Sequence, residues 1–253
     1  MLPIKEIEEF VKSETKNVDS IAHDFGHLKR TAIGARWFVK ILNGDKKEQD
    51  LAYIAGLLHD IVRAPTDKIS HIKNGVEKTR KILEQFKLEK TVTNKIIEAI
   101  KMHGEPGIQK DVLQQSVFLA DKILEAMGAY VVFRRAIYHA ESSDFSGMSL
   151  EEATIYHYTW RMKKFNPSVF HKKFSKLITY QYYWPLHFLN AFKRKEEWAL
   201  YLERIGYEYG SKKLPIEKLI KNFEPKFKED EKYKKEALFY IQGKKFEEFE
   251  KMI

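Results

Sequence analysis

Apolar residues recur along this chain at spacings of three and four, while strict alternation is scarce, so the pattern predicts a helical protein. Pro3 opens a short helix through about Val11. A second helix follows the region of His23, carries Leu28, Ile33, Phe38 and Ile41, and stops at Asn43-Gly44. The third runs from about Lys47 to Val62, with Leu51, Ile54, Ala55 and Leu58 on one stripe, and Ala64-Pro65 ends it. Ile72, Val76, Thr79, Leu83 and Phe86 line a fourth. Thr93 to His103 makes a fifth, about Asp111 to Met127 a sixth, and Tyr130 to about His139 a seventh. Ser149 and Glu152 form a capping box that opens a helix through about Lys164. From Val169 the chain is helical and aromatic, "LITYQYYWPLHFLNAF", and Pro185 should kink or break it. The segment around Tyr180 to Phe188 reads as core rather than as a subunit interface. After about Lys193 alternating charge mixes with regular Phe, Tyr and Leu. We therefore expect a compact helical domain over residues 1–190 and a charged helical extension over 191–253.

Composition narrows the chemistry. With 253 residues, 43% of them hydrophobic, the chain can bury a substantial core, and 12 Gly and 7 Pro favour long helices over a turn-rich β protein. Cysteine is absent, which excludes disulfides, iron–sulfur clusters and thiolate zinc sites and fits a reducing cytoplasm. Any metal must then be held by histidine and carboxylate. The start, MLPIKEIEEF, lacks the apolar core of a signal peptide. No apolar run approaches the roughly 18 residues of a membrane span, so a soluble cytoplasmic protein is expected. The formal charge of +9 favours anionic partners such as phosphorylated small molecules, nucleic acid or acidic lipid. Lysine interleaved with glutamate is equally the pattern of a solvated surface, and without cysteine it also suits a thermophile.

Several polar residues interrupt otherwise apolar segments. In "AGLLHDIV", residues 55–62, His59 and Asp60 stand side by side at the oily end of a helix. Burying either alone is costly unless it is paired or bound to a metal. His23 and His27 are four apart in "IAHDFGHLKRTA" and share a face if that stretch is helical, although Asp24 also reads as a charge at a helix N-terminus. His71 opens one helix and His103 closes another, positions where a histidine is often a simple cap. Asp121, inside "SVFLADKILEAMG", is surrounded by Val117, Ala120 and Leu124 and needs a metal or a buried salt bridge. Together these residues run His, His-Asp, His, His, Asp on successive helices, with no thiol among them. Imidazole and carboxylate suit Mn, Fe, Co, Ni or Zn, and a helical bundle can converge such groups on one interior point.

The segments "HDFGHLKRTA", "AGLLHDIVRAP", "SHIKNGVEKTRKIL", "AIKMHGE" and "LADKILEAMGAYVVFRR", in this order over residues 20–137, resemble the HD-domain metal-dependent phosphohydrolases. The resemblance implies an all-α domain with a metal at its centre, and His27, His59, Asp60 and Asp121 as its core ligands. His71 and His103 resemble the two further histidines of binuclear members; with a single ion they would face substrate phosphate instead. Arg63 stands where many relatives carry a lysine after the His-Asp doublet, which suggests phosphate binding, although the two cations are not interchangeable. Arg30 and Arg134 match positive positions of the family and read as structural or phosphate-binding. His23 and Asp24 look like the pair that precedes the first ligand, with orientation of His27 as their role. Beyond about residue 150 nothing carries the resemblance.

The expected function is hydrolysis of a phosphate ester or anhydride, with a nucleotide as the substrate class that relatives suggest. One or two divalent ions (Mn, Fe, Co, Ni, Zn or Mg) would activate water for attack on phosphorus. Arg63 and Lys122 would offset charge on the phosphoryl oxygens, although Lys122 also reads as a surface lysine. Asp60 or Asp24 would accept the water's proton. Two other classes stay open. A phosphodiesterase or nuclease would use "WRMKKF" and "FHKKF" for stacking and phosphate contact on oligonucleotides. A non-catalytic metal-stabilised module is the other, and the complete ligand set argues against it.

Overall fold

In a computed structural model of the chain the described residues are 2–16, 20–62 and 70–253, with backbone alone for 70–73. All regular structure among them is helical. The chain divides into two compact units, Met1–Glu125 and Ala126–Ile253.

The first unit carries α1 (Ile4–Glu14), α2 (Phe25–Ile41), α3 (Lys46–Leu58), α4 (Ser70–Gln85), α5 (Lys90–Lys101) and α6 (Val112–Leu119). Its core is apolar and closed: Leu28, Phe38, Ile54, Leu57, Ile96 and Val117 are fully buried or nearly so. Local signals set the helix ends. Asp24 caps α2 by accepting from the His27 amide at 3.0 Å, and Asn43, in the left-handed region at φ 60°, turns the chain out of it. Asp45 and Glu48 make a reciprocal capping box on α3. Helices α2 and α3 approach closely because Gly56 has no side chain: a Cβ there would lie 2.6 Å from the Cα of Ala32. Two expectations shift in this unit. Helix α3 ends at Leu58, four residues before Val62, so His59 and Asp60 sit just past its tip. The expected sixth helix is interrupted after Leu119 by a π-turn, Ala120–Leu124, in which the Glu125 amide reaches the Ala120 carbonyl at 3.1 Å. The Ala64-Pro65 stop signal lies outside the described residues.

The second unit carries α7 (Gly128–Glu141), α8 (Leu150–Lys164), α9 (Ser175–Lys193), α10 (Glu197–Ser211), α11 (Ile216–Asn222), α12 (Lys228–Ile241) and α13 (Phe246–Glu250). The Ser149–Glu152 capping box forms as expected, with Ser149 N donating to Glu152 at 2.9 Å. Helix α9 runs unbroken through Pro185, so of the expected kink or break the break does not occur. The proline is buried, and packing of this face outweighs a missing hydrogen bond that costs about 3 kcal/mol in an isolated helix. Residue 190 lies inside α9, and the segment after it packs within the same unit as residues 126–190: Gly206 of α10 lies so near Ala136 of α7 that a Cβ would be 2.3 Å from its methyl. Around Tyr180–Phe188 the inward side chains are core, with Phe188 fully buried, while Tyr183 stays 52% exposed.

Candidate metal centre

The centre is assembled at the ends of helices in the first unit. His59 follows the last turn of α3 and His103 follows that of α5. Each imidazole turns back on its own helix, His59 Nδ1 onto the Gly56 carbonyl at 2.8 Å and His103 Nδ1 onto the Ile100 carbonyl at 2.5 Å. A carbonyl can only accept, so both rings carry their proton on Nδ1 and leave the Nε2 lone pair free to bind. His27 is anchored by a side chain instead: from the first turn of α2 its Nδ1 lies 2.9 Å from Glu125 Oε2. The three rings stand edge to face in a row, with centroids 5.0 Å apart from His27 to His59 and 5.1 Å from His59 to His103.

Two carboxylates lie between the Nε2 atoms. Asp121 Oδ1 is 3.9 Å from His27 Nε2 and 3.8 Å from His59 Nε2. Asp60 Oδ2 is 3.7 Å from His59 Nε2, and its Oδ1 is 3.9 Å from His103 Nε2. These separations are too long for hydrogen bonds. They fall within the reach of two ligands on one ion, since donors about 2.0–2.2 Å from a metal are at most about 4.4 Å apart. His59 Nε2 is buried and has no hydrogen-bond partner among the described residues, a costly state that an ion would relieve. Two overlapping triads, His27/His59/Asp60 and His59/His103/Asp121, bring their donor atoms within 4.8 Å of one another. The residues present fit a divalent ion.

The electrostatics agree with that fit. Burial, with Lys122 and His59 nearby, holds the His103 imidazole down at about 4 against the opposite pull of Asp60 and Asp121, so the ring is neutral at pH 7. For Asp121, burial alone would raise the pKa; Lys122 and the three histidines overcome it and hold the carboxyl well below its ordinary value. Lys122 is no surface lysine: its ammonium rests on Asp121 Oδ2, and its side chain is 13% exposed.

The other expected residues divide. Asp24 commits Oδ1 to the α2 cap, where it fixes the backbone of His27. His23 is buried with Nδ1 2.8 Å from Ser20 Oγ, and its ring packs edge-on to His27 at 5.6 Å. Arg30 Nε donates to Glu125 Oε1 at 2.9 Å. Arg134 is buried in the second unit. Arg63 and the side chain of His71 lie outside the described residues. Sequence reasoning missed Glu125, which is fully buried and holds both His27 and Arg30. Its signal was a second carboxylate four residues after Asp121 in the same apolar segment. In "WRMKKF" and "FHKKF" the aromatics expected to stack are mostly core: Phe165, Phe170 and Phe174 are buried, and Trp160 alone of the four is exposed.

An all-helical domain with a buried histidine–carboxylate centre is the class of protein these observations define. Residues 24–126 match the family model of the HD domain. No curated protein matches the sequence. Among solved structures the chain is similar to Bacillus subtilis YpgQ, whose crystal structure is a complex with ADP; the TM-score is 0.58 at 18% identity, over 78% of this chain and 99% of that one. That likeness is one of fold. No helix among the described residues is long and apolar enough to cross a membrane.

Proposed function

We propose that the chain is a divalent-metal-dependent phosphohydrolase acting on a phosphorylated small molecule of the nucleotide class. The observation that carries this reading is the convergence of three Nδ1-anchored imidazoles, with His59 Nε2 unpartnered, on the carboxylates of Asp60 and Asp121. His27, His59, Asp60 and Asp121 would hold the first ion, and His103, joined by His71, would add donors for a second. The ion, when bound, supplies activation of water near neutral pH and polarisation of a phosphoryl oxygen. Glu125 sets the His27 ring so that Nε2 faces Asp121. Asp60 Oδ1 is the atom we assign to receive the water's proton, since Asp24 Oδ1 is held at the α2 cap. Lys122 places a positive charge beside Asp121, where it offsets phosphoryl charge. Arg63 is a further candidate for substrate phosphate, and Arg30 acts through Glu125. Nucleotide as the substrate class is supported by the ADP bound to YpgQ and by the positive formal charge of +9.

The test is elemental analysis of the purified parent and an Asp121→Ala variant. Both are assayed on p-nitrophenyl phosphate, bis-(p-nitrophenyl) phosphate and a nucleotide panel with added Mn or Co. Metal lost in the variant and metal-dependent turnover of monoesters or nucleotides in the parent are expected. A parent without metal and without turnover overturns the proposal. Turnover of the diester alone replaces it with a phosphodiesterase, and metal without any turnover replaces it with a non-catalytic module.

A further inference from the structure

The second unit contains a buried cation with no ion-pair partner among the described residues. Arg135, on α7, is 6% exposed, and its Nε–H finds no hydrogen-bond partner among the described residues. No carboxylate lies within ion-pair distance of it there; its described neighbour is the Tyr138 ring, 5.9 Å from the guanidinium carbon. More positive charge stands close by. Burial, then Arg161 and Arg134, push the Arg135 pKa well below the guanidinium range, the mark of a charge that its surroundings oppose. Glu203 is fully buried in the same unit; its Oε1 accepts from the Thr154 hydroxyl at 3.1 Å and lies 2.6 Å from His139 Nδ1. Its Oε2 has no hydrogen-bond partner among the described residues, and its charge is felt at Tyr158, but it makes no ion pair with Arg135. Arginine keeps its proton in proteins, and an unpaired buried charge costs several kcal/mol.

Beside Arg135 is a small cavity that it lines together with Arg161, Tyr158 and His157, closed by apolar side chains such as Val131 and Met162. The Tyr158 hydroxyl is buried and, like Arg135 Nε–H, makes no hydrogen bond among the described residues. The cavity measures about 10 Å³ for the centre of a water-sized sphere, which is room for one water or one ion of similar radius. A phosphate or sulfate, with four oxygens, is too large. A water could accept from Arg135 and Tyr158 but would leave the charge unmatched. We infer that the second unit has a buried binding site for one monovalent anion of halide size, with the Arg135 guanidinium and the Tyr158 hydroxyl as donors. Its donors come from α7 and α8, with Pro185 of α9 and Ala126 also lining the cavity, and it does not depend on the proposed hydrolase reading.

Thermal unfolding of the full chain in sodium chloride or bromide, against sodium gluconate at equal ionic strength, tests this. The parent should melt about 3 °C higher in the halide salts, the shift expected for a site filled roughly tenfold above its dissociation constant. Arg135→Met keeps the stem and removes the charge, and should melt at the same temperature in both salts. Equal midpoints for the parent overturn the inference, and so does a halide effect that persists in Arg135→Met. If that variant does not fold, a bromide-soaked crystal of the parent decides. An anomalous peak in contact with Arg135 and Tyr158 supports the site, and its absence assigns the cavity to water.

Discussion

A neutral imidazole carries one proton between two nitrogens, and this protein decides which nitrogen keeps it. His59 and His103 meet backbone carbonyls, and His27 meets Glu125, so all three turn Nε2 toward Asp60 and Asp121. Two of these anchors are main chain and survive any substitution that leaves the helix ends in place. The third is a side chain and can be tested. Glu125→Gln retains an oxygen for His27 but loses the charge that Arg30 also meets. Metal affinity should fall about 10- to 100-fold, measured by competition with a chromophoric chelator while helicity is unchanged. An unaltered affinity would show that His27 is positioned without Glu125. The candidate donors were legible because each is a polar residue in an apolar segment, a pattern that demands a partner whatever the fold. Glu125 follows the same rule, yet it was hidden among 36 Asp and Glu residues whose default place is the surface. The Lys122 contact with Asp121 was illegible for another reason: side chains adjacent in sequence diverge on a regular α-helix, and here the turn is not a regular one.

At the scale of elements, α3 and α5 use one device twice. Each helix ends, and a histidine just beyond it satisfies a last-turn carbonyl three residues back while aiming its free nitrogen away from the helix. Gly56 supplies that carbonyl for His59 and is also where α3 touches the α2 backbone. A Cβ at position 56 would sit 2.6 Å from Ala32 Cα and 2.8 Å from Ala32 N, atoms that cannot rotate away. Gly56→Ala should therefore force the helices apart, destabilising the protein by about 1–3 kcal/mol and displacing His59. Denaturant unfolding with chelator present reads the first effect, and metal content of the untreated protein reads the second. Parent-like values in both would mean that the α2–α3 contact is softer than the distances imply. Helices themselves were readable from periodicity, and the Ser149 cap from its spacing, because both depend on near neighbours in the chain. What escaped depends on distant packing. The π-turn at Ala120–Leu124 adds a residue to one turn and re-aims Asp121 without a marker in the sequence. Pro185 obeys its burial rather than its propensity. The division after Glu125 falls between two helices, with no linker composition to announce it.

For the molecule as a whole, the candidate ligands are spread widely in sequence and confined in space. His27, His59, Asp60, His103 and Asp121 come from four separate segments, all within Met1–Glu125. An unfolded chain offers no such arrangement, so whatever affinity the centre has for an ion is stability of the folded first unit. At a free metal concentration 100 times the dissociation constant the gain is about 2.7 kcal/mol. None of these ligands belongs to Ala126–Ile253, whose core rests on its own aromatic residues, including Tyr130, Phe133, Phe188 and Tyr233. Stripping the metal with a chelator should therefore speed amide hydrogen exchange across α2, α3, α5 and α6 while leaving α7 to α12 as protected as before. Exchange followed by mass spectrometry, with and without chelator, makes the comparison peptide by peptide. Loss of protection in both units would mean that they unfold as one cooperative body and share the metal's contribution. An unchanged pattern everywhere would mean that no ion holds the centre, and His59 Nε2 would then need another partner.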